Sequence, residues 1–396
     1  MRIAFASTYP PRRCGIAMFT SDLAATFGHR EIVALTPPDH AGAYPTEVHH
    51  RIRRDEPTDY RRAARALDRC RLDAVSIQHE YGIWGGVDGE SVIDFVNDLD
   101  VPTVATLHTI LRSPTPHQRR VLVDLVAATD ATVVMSGAAA SLLEEAYGID
   151  AARIDVIPHG VPDLPLVDPD TLKPALGLDG RRVILSFGLL GPGKGYEHAI
   201  AAMPAVVAAV PDATYVILGA THPDLLRHEG EAYRDRLTAR IAELGLADHV
   251  LLVDRFVGRR ELGRWLEAAD VFVTPYPNLD QIVSGTMSYA MSAGKAIVST
   301  PYAYATELLA AGRGVLVEPG SPNGLATAFI DLLTDPERRT IIGGRAYAYS
   351  RRAIWPEVGD AYRRVFARVA SVPVAMTAQR ATGLHVEGRS AVLVDA

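Results

Sequence analysis

Short apolar runs alternate with stretches of helical spacing through nearly the whole chain. This is the rhythm of parallel strands whose sheet is covered by helices on both faces. In the first half the runs predict strands over 2–7, 31–35, 74–78, 103–107, 132–135 and 155–157, with helical spacing over 18–27 and 61–69. In the second half they predict strands over 183–187, 214–218, 250–253, 271–274, 296–299 and 314–317. Each set could build one doubly wound α/β domain. Between the sets, Pro158, Pro162, Pro165, Pro169 and Pro174 interrupt a few scattered apolar residues. That composition breaks regular elements and predicts a linker. After Trp355, apolar residues return at helical spacing over 358–369. The expected organisation is a first domain over 1–160, a linker over 161–181, a second domain over 182–355, a helix over 356–371 and a tail over 372–396.

Length agrees with two cores, since 396 residues exceed what one ordinary core supports. The 40 Lys and Arg against 47 Asp and Glu leave a net charge of −7, which gives no support to a nucleic-acid or anionic-membrane partner. Partners are expected to be small or neutral molecules. Cys14 and Cys70 are the two cysteines, too few for a disulfide framework, and predict a reduced cytoplasmic setting. The apolar stretch at the N-terminus is too short for a signal peptide, and no uncharged run approaches the roughly 18 residues of a membrane span. No integral membrane segment is expected.

Ligands of open α/β sheets bind outside the carboxyl ends of the strands, so polar residues immediately after a strand carry the most weight. Gly188-Leu189-Leu190-Gly191-Pro192-Gly193-Lys194-Gly195 follows one strand and leads into a helix. There, backbone N–H groups and the Lys194 ammonium can hold phosphate oxygens. The segment nearly spells the loop of nucleotide triphosphatases, but Gly195 stands where a hydroxyl would hold magnesium. Past the strand at 271–274, Gln281-Ile282-Val283-Ser284-Gly285-Thr286 opens a helix with Ser284 as its natural cap. Free N–H groups at that start make a second anion site, in competition with ordinary capping. In the first half, Gln78-His79-Glu80 and His108 follow adjacent strands, and Gly15 opens a helix after the first strand. The acidic pairs Asp98 with Asp100 and Asp168 with Asp170 lie in a polar turn and in the linker without a further ligand nearby, so neither a metal nor another cofactor is expected.

Taken together, the chain resembles a GT-B type retaining glycosyltransferase of family 4 (glycosyl transferases group 1) over roughly residues 1–371. Carrying the resemblance are the Lys194-Gly195 pair, the strand ending Leu218-Gly219, Ala269-Asp270-Val271-Phe272-Val273-Thr274-Pro275, the run from Ala290 to Val298, and Glu307 with Gly314-Val315-Leu316-Val317. Pro158-His159-Gly160-Val161 is similar to the family's interdomain junction. The resemblance implies two Rossmann-like doubly wound domains facing a cleft, with a C-terminal helix returning to the first. It implies catalytic roles for Lys194, His108 and Gln281. Donor and phosphate contacts fall on Gly15, Gly191, Gly193, Gly195, Val283, Ser284, Gly285, Thr286 and Tyr289, and acceptor-side contacts on His79 and Glu80. This sequence departs from the family at three positions. Leu189 replaces an arginine, and Gln281 and Tyr289 replace a pair of glutamates spaced eight apart.

The function implied is metal-independent hexosyl transfer from a nucleotide sugar to a sugar or small-molecule hydroxyl. Two alternatives stay open. A glycoside phosphorylase on the same scaffold would use the anion site for inorganic phosphate and need no ribose pocket. A non-catalytic sugar- or nucleotide-binding protein fits the lost arginine and glutamate but not the retained Lys194 and His108. The sugar, the acceptor and the oligomeric state are not legible in the sequence.

Overall fold

In the computed structural model, residues 1–38, 40 and 42–371 are described, and the tail expected from 372 lies outside the described residues. The first sheet has seven parallel strands: β1 (Arg2–Ser7), β2 (His29–Thr36), β3 (Val48–Arg53), β4 (Ala74–His79), β5 (Thr103–Leu107), β6 (Ala131–Val134) and β7 (Ile154–Val156), in the order β3-β2-β1-β4-β5-β6-β7. The second has six: β8 (Arg182–Phe187), β9 (Ala213–Leu218), β10 (Val250–Val253), β11 (Val271–Thr274), β12 (Ala296–Ser299) and β13 (Val315–Leu316), in the order β10-β9-β8-β11-β12-β13. Every position from Ile3 to Ser7 and from Ala74 to His79 is buried. Helices cover both faces of the sheet, so its central strands read as continuous apolar runs rather than as alternating ones. Each sheet reverses its winding once, between β1 and β4 and between β8 and β11, and at such a switch the loops part and leave a crevice.

Strand β3 has no counterpart among the predicted runs. Its sequence, Val-His-His-Arg-Ile-Arg, buries only Val48 and Ile52 and exposes His49, Arg51 and Arg53. At a sheet edge half the strand faces water, and the apolar run that marks a central strand is absent. The first helix also begins earlier than its apolar spacing indicates, at Gly15, where the Cys14 sulfur accepts a hydrogen bond from the Ala17 N–H.

The chain passes between the sheets twice, and the two passages touch. The Val161 N–H donates to the Ala353 carbonyl at 2.8 Å, and the Trp355 N–H donates to the Val161 carbonyl at 3.0 Å. A Cβ on Gly160 would lie 2.2 Å from the Trp355 ring, so glycine is what lets the passages meet. Beyond the second passage, helix Trp355–Ala370 turns Val358, Tyr362, Phe366 and Val369 onto Ile3, Phe5 and Phe27 of the first domain. Their spacing of three and four is the apolar stripe a covering helix needs. Among the described residues no helix is long and apolar enough to cross a membrane.

The proline-rich connection is pinned rather than loose. Lys173, 3% exposed, extends from it to Asp270 at 2.8 Å, and the Asp270 carboxylate also accepts the Val183 N–H at 2.7 Å. Removing one partner of a buried pair leaves the other charge without compensation, although Arg339 stands 3.7 Å from Asp270. Lys173→Met is therefore expected to cost about 3 kcal/mol of stability in urea denaturation. A loss under about 1 kcal/mol would show that the pair does not anchor the connection.

Candidate active site

The second-domain wall is built at the carboxyl ends of β8 and β11. After β8, Gly188 takes φ +134°, and a tight turn over Pro192–Lys194 ends at Gly195 with φ +64°. A side chain at Gly195 would strike the Pro275 carbonyl oxygen, 2.1 Å from the Cβ position, so the turn and the loop after β11 approach to backbone contact. That approach carries the Lys194 ammonium over the Tyr276 ring at 4.6 Å. The Tyr276 hydroxyl pairs with the Thr286 hydroxyl at 3.0 Å, and Thr286 with the Ser284 hydroxyl at 3.1 Å. Ser284 caps helix Gly285–Ser292 by accepting from the Met287 N–H. The N–H groups of Gly285 and Thr286 stand at the free end of that helix, where its dipole is positive. Lys194 and the Ser284–Thr286 start thus form one electropositive surface, joined through Tyr276. A Cβ at Gly193 would meet nothing within 4 Å, whereas Gly191 closes on Leu225.

The first-domain wall comes from β1, β4 and β5. Gly15 also opens onto free space within 4 Å. His108 is buried against the edge of Phe19, and its Nε2 lies 2.8 Å from the Gln78 side-chain oxygen, while the Gln78 amide nitrogen donates to Ser76. Burial, with His159 and His79 nearby, lowers its pKa to about 3. The ring is neutral at pH 7. Because Nε2 donates to Gln78, Nδ1 is left as an acceptor. His79 lies entirely beneath the surface with both ring nitrogens lacking a hydrogen-bond partner among the described residues, and burial lowers its pKa to about 4. Glu80 is largely buried. Burial pushes its carboxyl up, opposed by the Gly82 N–H it accepts at 2.8 Å and by the nearby Arg12.

Other residues anticipated from the sequence hold the two walls together. The Tyr289 hydroxyl crosses to donate to Asp22 at 3.2 Å, and Asp22 is paired with Arg259. Gln281 donates its side-chain amide to the Val283 carbonyl at 2.8 Å and so braces its own loop. Val283 packs against the apolar clusters of both domains. Arg112 reaches Asp280 at 3.0 Å, and the Glu307 carboxylate accepts the N–H groups of Gly137 and Ala138 at 3.1 and 2.9 Å. Among the described residues no group of three or more His, Cys, Asp or Glu side chains is placed to hold a metal ion.

Two family models divide the chain between them: Glycosyltransferase Family 4 matches residues 15–163 and Glycosyl transferases group 1 matches residues 168–349. A D-inositol 3-phosphate glycosyltransferase of Xylanimonas cellulosilytica is 32% identical over 294 residues, covering 68% of this chain and 67% of that protein. The chain belongs to the group 1 glycosyltransferase family. A second D-inositol 3-phosphate glycosyltransferase, from Segniliparus rotundus, is 29% identical over 66% of this chain, and the match spans 60% of that relative's length. In fold, this glycosyltransferase is similar to the Anabaena HepE protein in complex with UDP-glucose, with a TM-score of 0.74, 19% identity, and coverage of 94% of this chain and 100% of the other. The fold is GT-B.

Three members of this glycosyltransferase's cleft carried no signal in the sequence reading. Tyr276 stands in a loop with no local pattern to mark it, yet it joins Lys194 to the helix start. His159 falls within a segment similar to the family's junction, yet its ring packs on Phe19 at 5.1 Å, and its Nε2 would lie 2.8 Å from a Cβ on Gly285. Asp22 sits on the buried face of the first helix and meets its partners only across the cleft.

The buried histidines set the acid response. His79 and His108 have folded pKa values near 4 and 3, below the ordinary 6.5, so between those values the unfolded chain binds protons that the folded chain does not. Stability is expected to fall as pH drops from 6.5 toward 4, by up to about 1.4 kcal/mol per pH unit for each histidine. Urea unfolding at pH 7 and pH 5 checks this, and a steeper loss in the wild type than in a His79→Phe variant is the expected outcome. Equal pH slopes would contradict it.

Proposed function

We propose that this family member transfers a hexosyl group from a nucleotide sugar to a sugar or small-molecule hydroxyl, with retention at the anomeric carbon and without a metal ion. The observation that carries the reading is the Tyr276 joint. One residue supports the Lys194 ammonium on its ring and the Ser284–Thr286 helix start through its hydroxyl. A leaving diphosphate seated there gathers negative charge as the bond to the sugar breaks, and preorganised donors aimed at developing charge lower the barrier. Neutral His108, offering Nδ1 as an acceptor, positions a hydroxyl of the donor sugar from the opposite wall. The acceptor enters on the first-domain side, beside Glu80. The name of the Xylanimonas relative and the UDP-glucose held by HepE support a nucleotide-sugar donor and a polyol or sugar acceptor. Retention rests on the family resemblance. Two free cysteines agree with reaction in the reduced cytoplasm.

One observation favours a second reading. Leu189 offers no charge to a diphosphate, and the Tyr289 hydroxyl is taken by Asp22. Hydrogen phosphate could occupy the same electropositive surface, its oxygen bonding the anomeric carbon of a glycoside as the bond to the aglycone breaks and the aglycone oxygen takes the proton that the phosphate gives up.

Lys194→Ala is expected to lower kcat about a hundredfold while the fold is retained, the scale for losing one transition-state charge contact. Steady-state rates with nucleotide-sugar donors, measured in EDTA after exhaustive dialysis, test both statements. Wild-type turnover by the variant would remove Lys194 from the reaction. Loss of wild-type activity in EDTA, restored by added manganese or magnesium, would remove the metal-free claim.

A further inference from the structure

A second concavity lies behind the cleft, where the two chain passages meet. It encloses about 370 Å³, within the size range of small-molecule sites. Helix Gly285–Ser292 separates it from the donor surface: Thr286 and Tyr289 face the cleft, while Ser288 and Met291 line the cavity. Met135 and Val156 come from the first domain, Leu308 from the second, and His159 and Ala353 from the two passages. The return helix supplies the remaining wall through Glu357, Ala361 and Arg364.

The polar groups of this cavity divide into two sets. Tyr304 and Ser288 satisfy each other at 2.7 Å, and Glu307 is committed to the Gly137 and Ala138 N–H groups. The other set is uncommitted. Arg352 stands over the Tyr349 ring at 4.0 Å and donates to its hydroxyl, but no carboxylate pairs with it among the described residues. Arg313 covers the same ring at 3.9 Å, so Tyr349 is clamped and holds Arg352 in place. Arg364 and Glu357 have neither a hydrogen bond nor an ion pair among the described residues. They stand seven residues apart on one helix, about 10 Å along its axis, too far to pair, with the small Ala361 between them leaving room above the helix. The unmatched chemistry is therefore two guanidiniums and one carboxylate that pairs with neither among the described residues. A ligand that completes it carries a compact anion at one end and hydroxyl donors at the other.

We propose that this cavity is a binding site for a phosphorylated sugar, its phosphate on Arg352 and Arg364 and its hydroxyls on Glu357. A molecule seated there touches both domains, both passages and the return helix. The site is distinct from the transfer cleft, and the proposal stands whether the cleft uses a nucleotide sugar or phosphate.

Titration calorimetry on the full chain tests it with glucose 6-phosphate, mannose 6-phosphate, glucose and inorganic phosphate as probes. At least one sugar phosphate is expected to bind more tightly than inorganic phosphate, and glucose not at all. Arg352→Ala with Arg364→Ala should weaken the sugar phosphate at least tenfold. Glu357→Gln should weaken it while leaving inorganic phosphate unchanged, and Lys194→Ala, which alters only the cleft, should leave the affinity for the sugar phosphate unchanged. All three cavity positions are exposed, so the substitutions spare the core, and melting temperatures verify this. Several results would overturn the proposal: no sugar phosphate binding to the wild type, equal affinity for phosphate alone, undiminished affinity in the double arginine variant, or a loss in Lys194→Ala, which would place the ligand in the cleft.

Discussion

The contact of Gly160 with Trp355, together with the paired hydrogen bonds of Val161 to Ala353 and Trp355, is the constraint from which the cleft follows. Each sheet is covered by helices on both faces, and the loops that can bind a ligand lie at the carboxyl ends of its strands. A single flexible passage would leave those two ends free to face anywhere. Two passages bonded to each other, with the second running on into a helix buried against β1, turn the ends toward one another. The remaining contacts across the cleft are of a different kind. Tyr289 meets the buried Asp22, while Arg112 with Asp280 and Glu307 with the Gly137 and Ala138 N–H groups are separate polar contacts near solvent. Exposed pairs of this type contribute roughly 0–1 kcal/mol each, weak enough to release when ligands enter or leave.

Charge is distributed unevenly between the walls. The second-domain wall presents a fixed ammonium and free helix N–H groups, while the first presents histidines kept neutral by burial. A neutral imidazole accepts or donates hydrogen bonds without adding charge, so these histidines add none opposite the fixed ammonium of the second-domain wall. This division suits a reaction in which negative charge builds at one end of the breaking bond and a sugar hydroxyl must be held at the other.

What the sequence made legible was local. Apolar runs marked the central strands because burial on both faces leaves a run with no polar interruption, and Lys194, Ser284 and His108 stood out because they directly follow such runs. The edge strand β3 escaped because Val48 and Ile52 are its only buried positions. The Tyr276 joint escaped because Lys194 and Thr286 belong to different loops, brought together only by the backbone contact of Gly195 with Pro275. The sequence places His79 at the cleft mouth, yet it is the last residue of β4 and lies wholly buried. The partnership of Tyr289 with Asp22 depends on the facing of two domains, which no local pattern encodes.

The account stands or falls on what the electropositive surface binds. Calorimetry of the wild-type protein against UDP, GDP, ADP and inorganic phosphate, paired with product analysis from the matching nucleotide sugars and sugar 1-phosphates, asks this directly. The account predicts modest but measurable binding of at least one nucleoside diphosphate and sugar transfer from its nucleotide sugar. If no nucleotide binds while inorganic phosphate drives the cleavage of a disaccharide, the transferase reading is contradicted and the surface belongs to a phosphorylase.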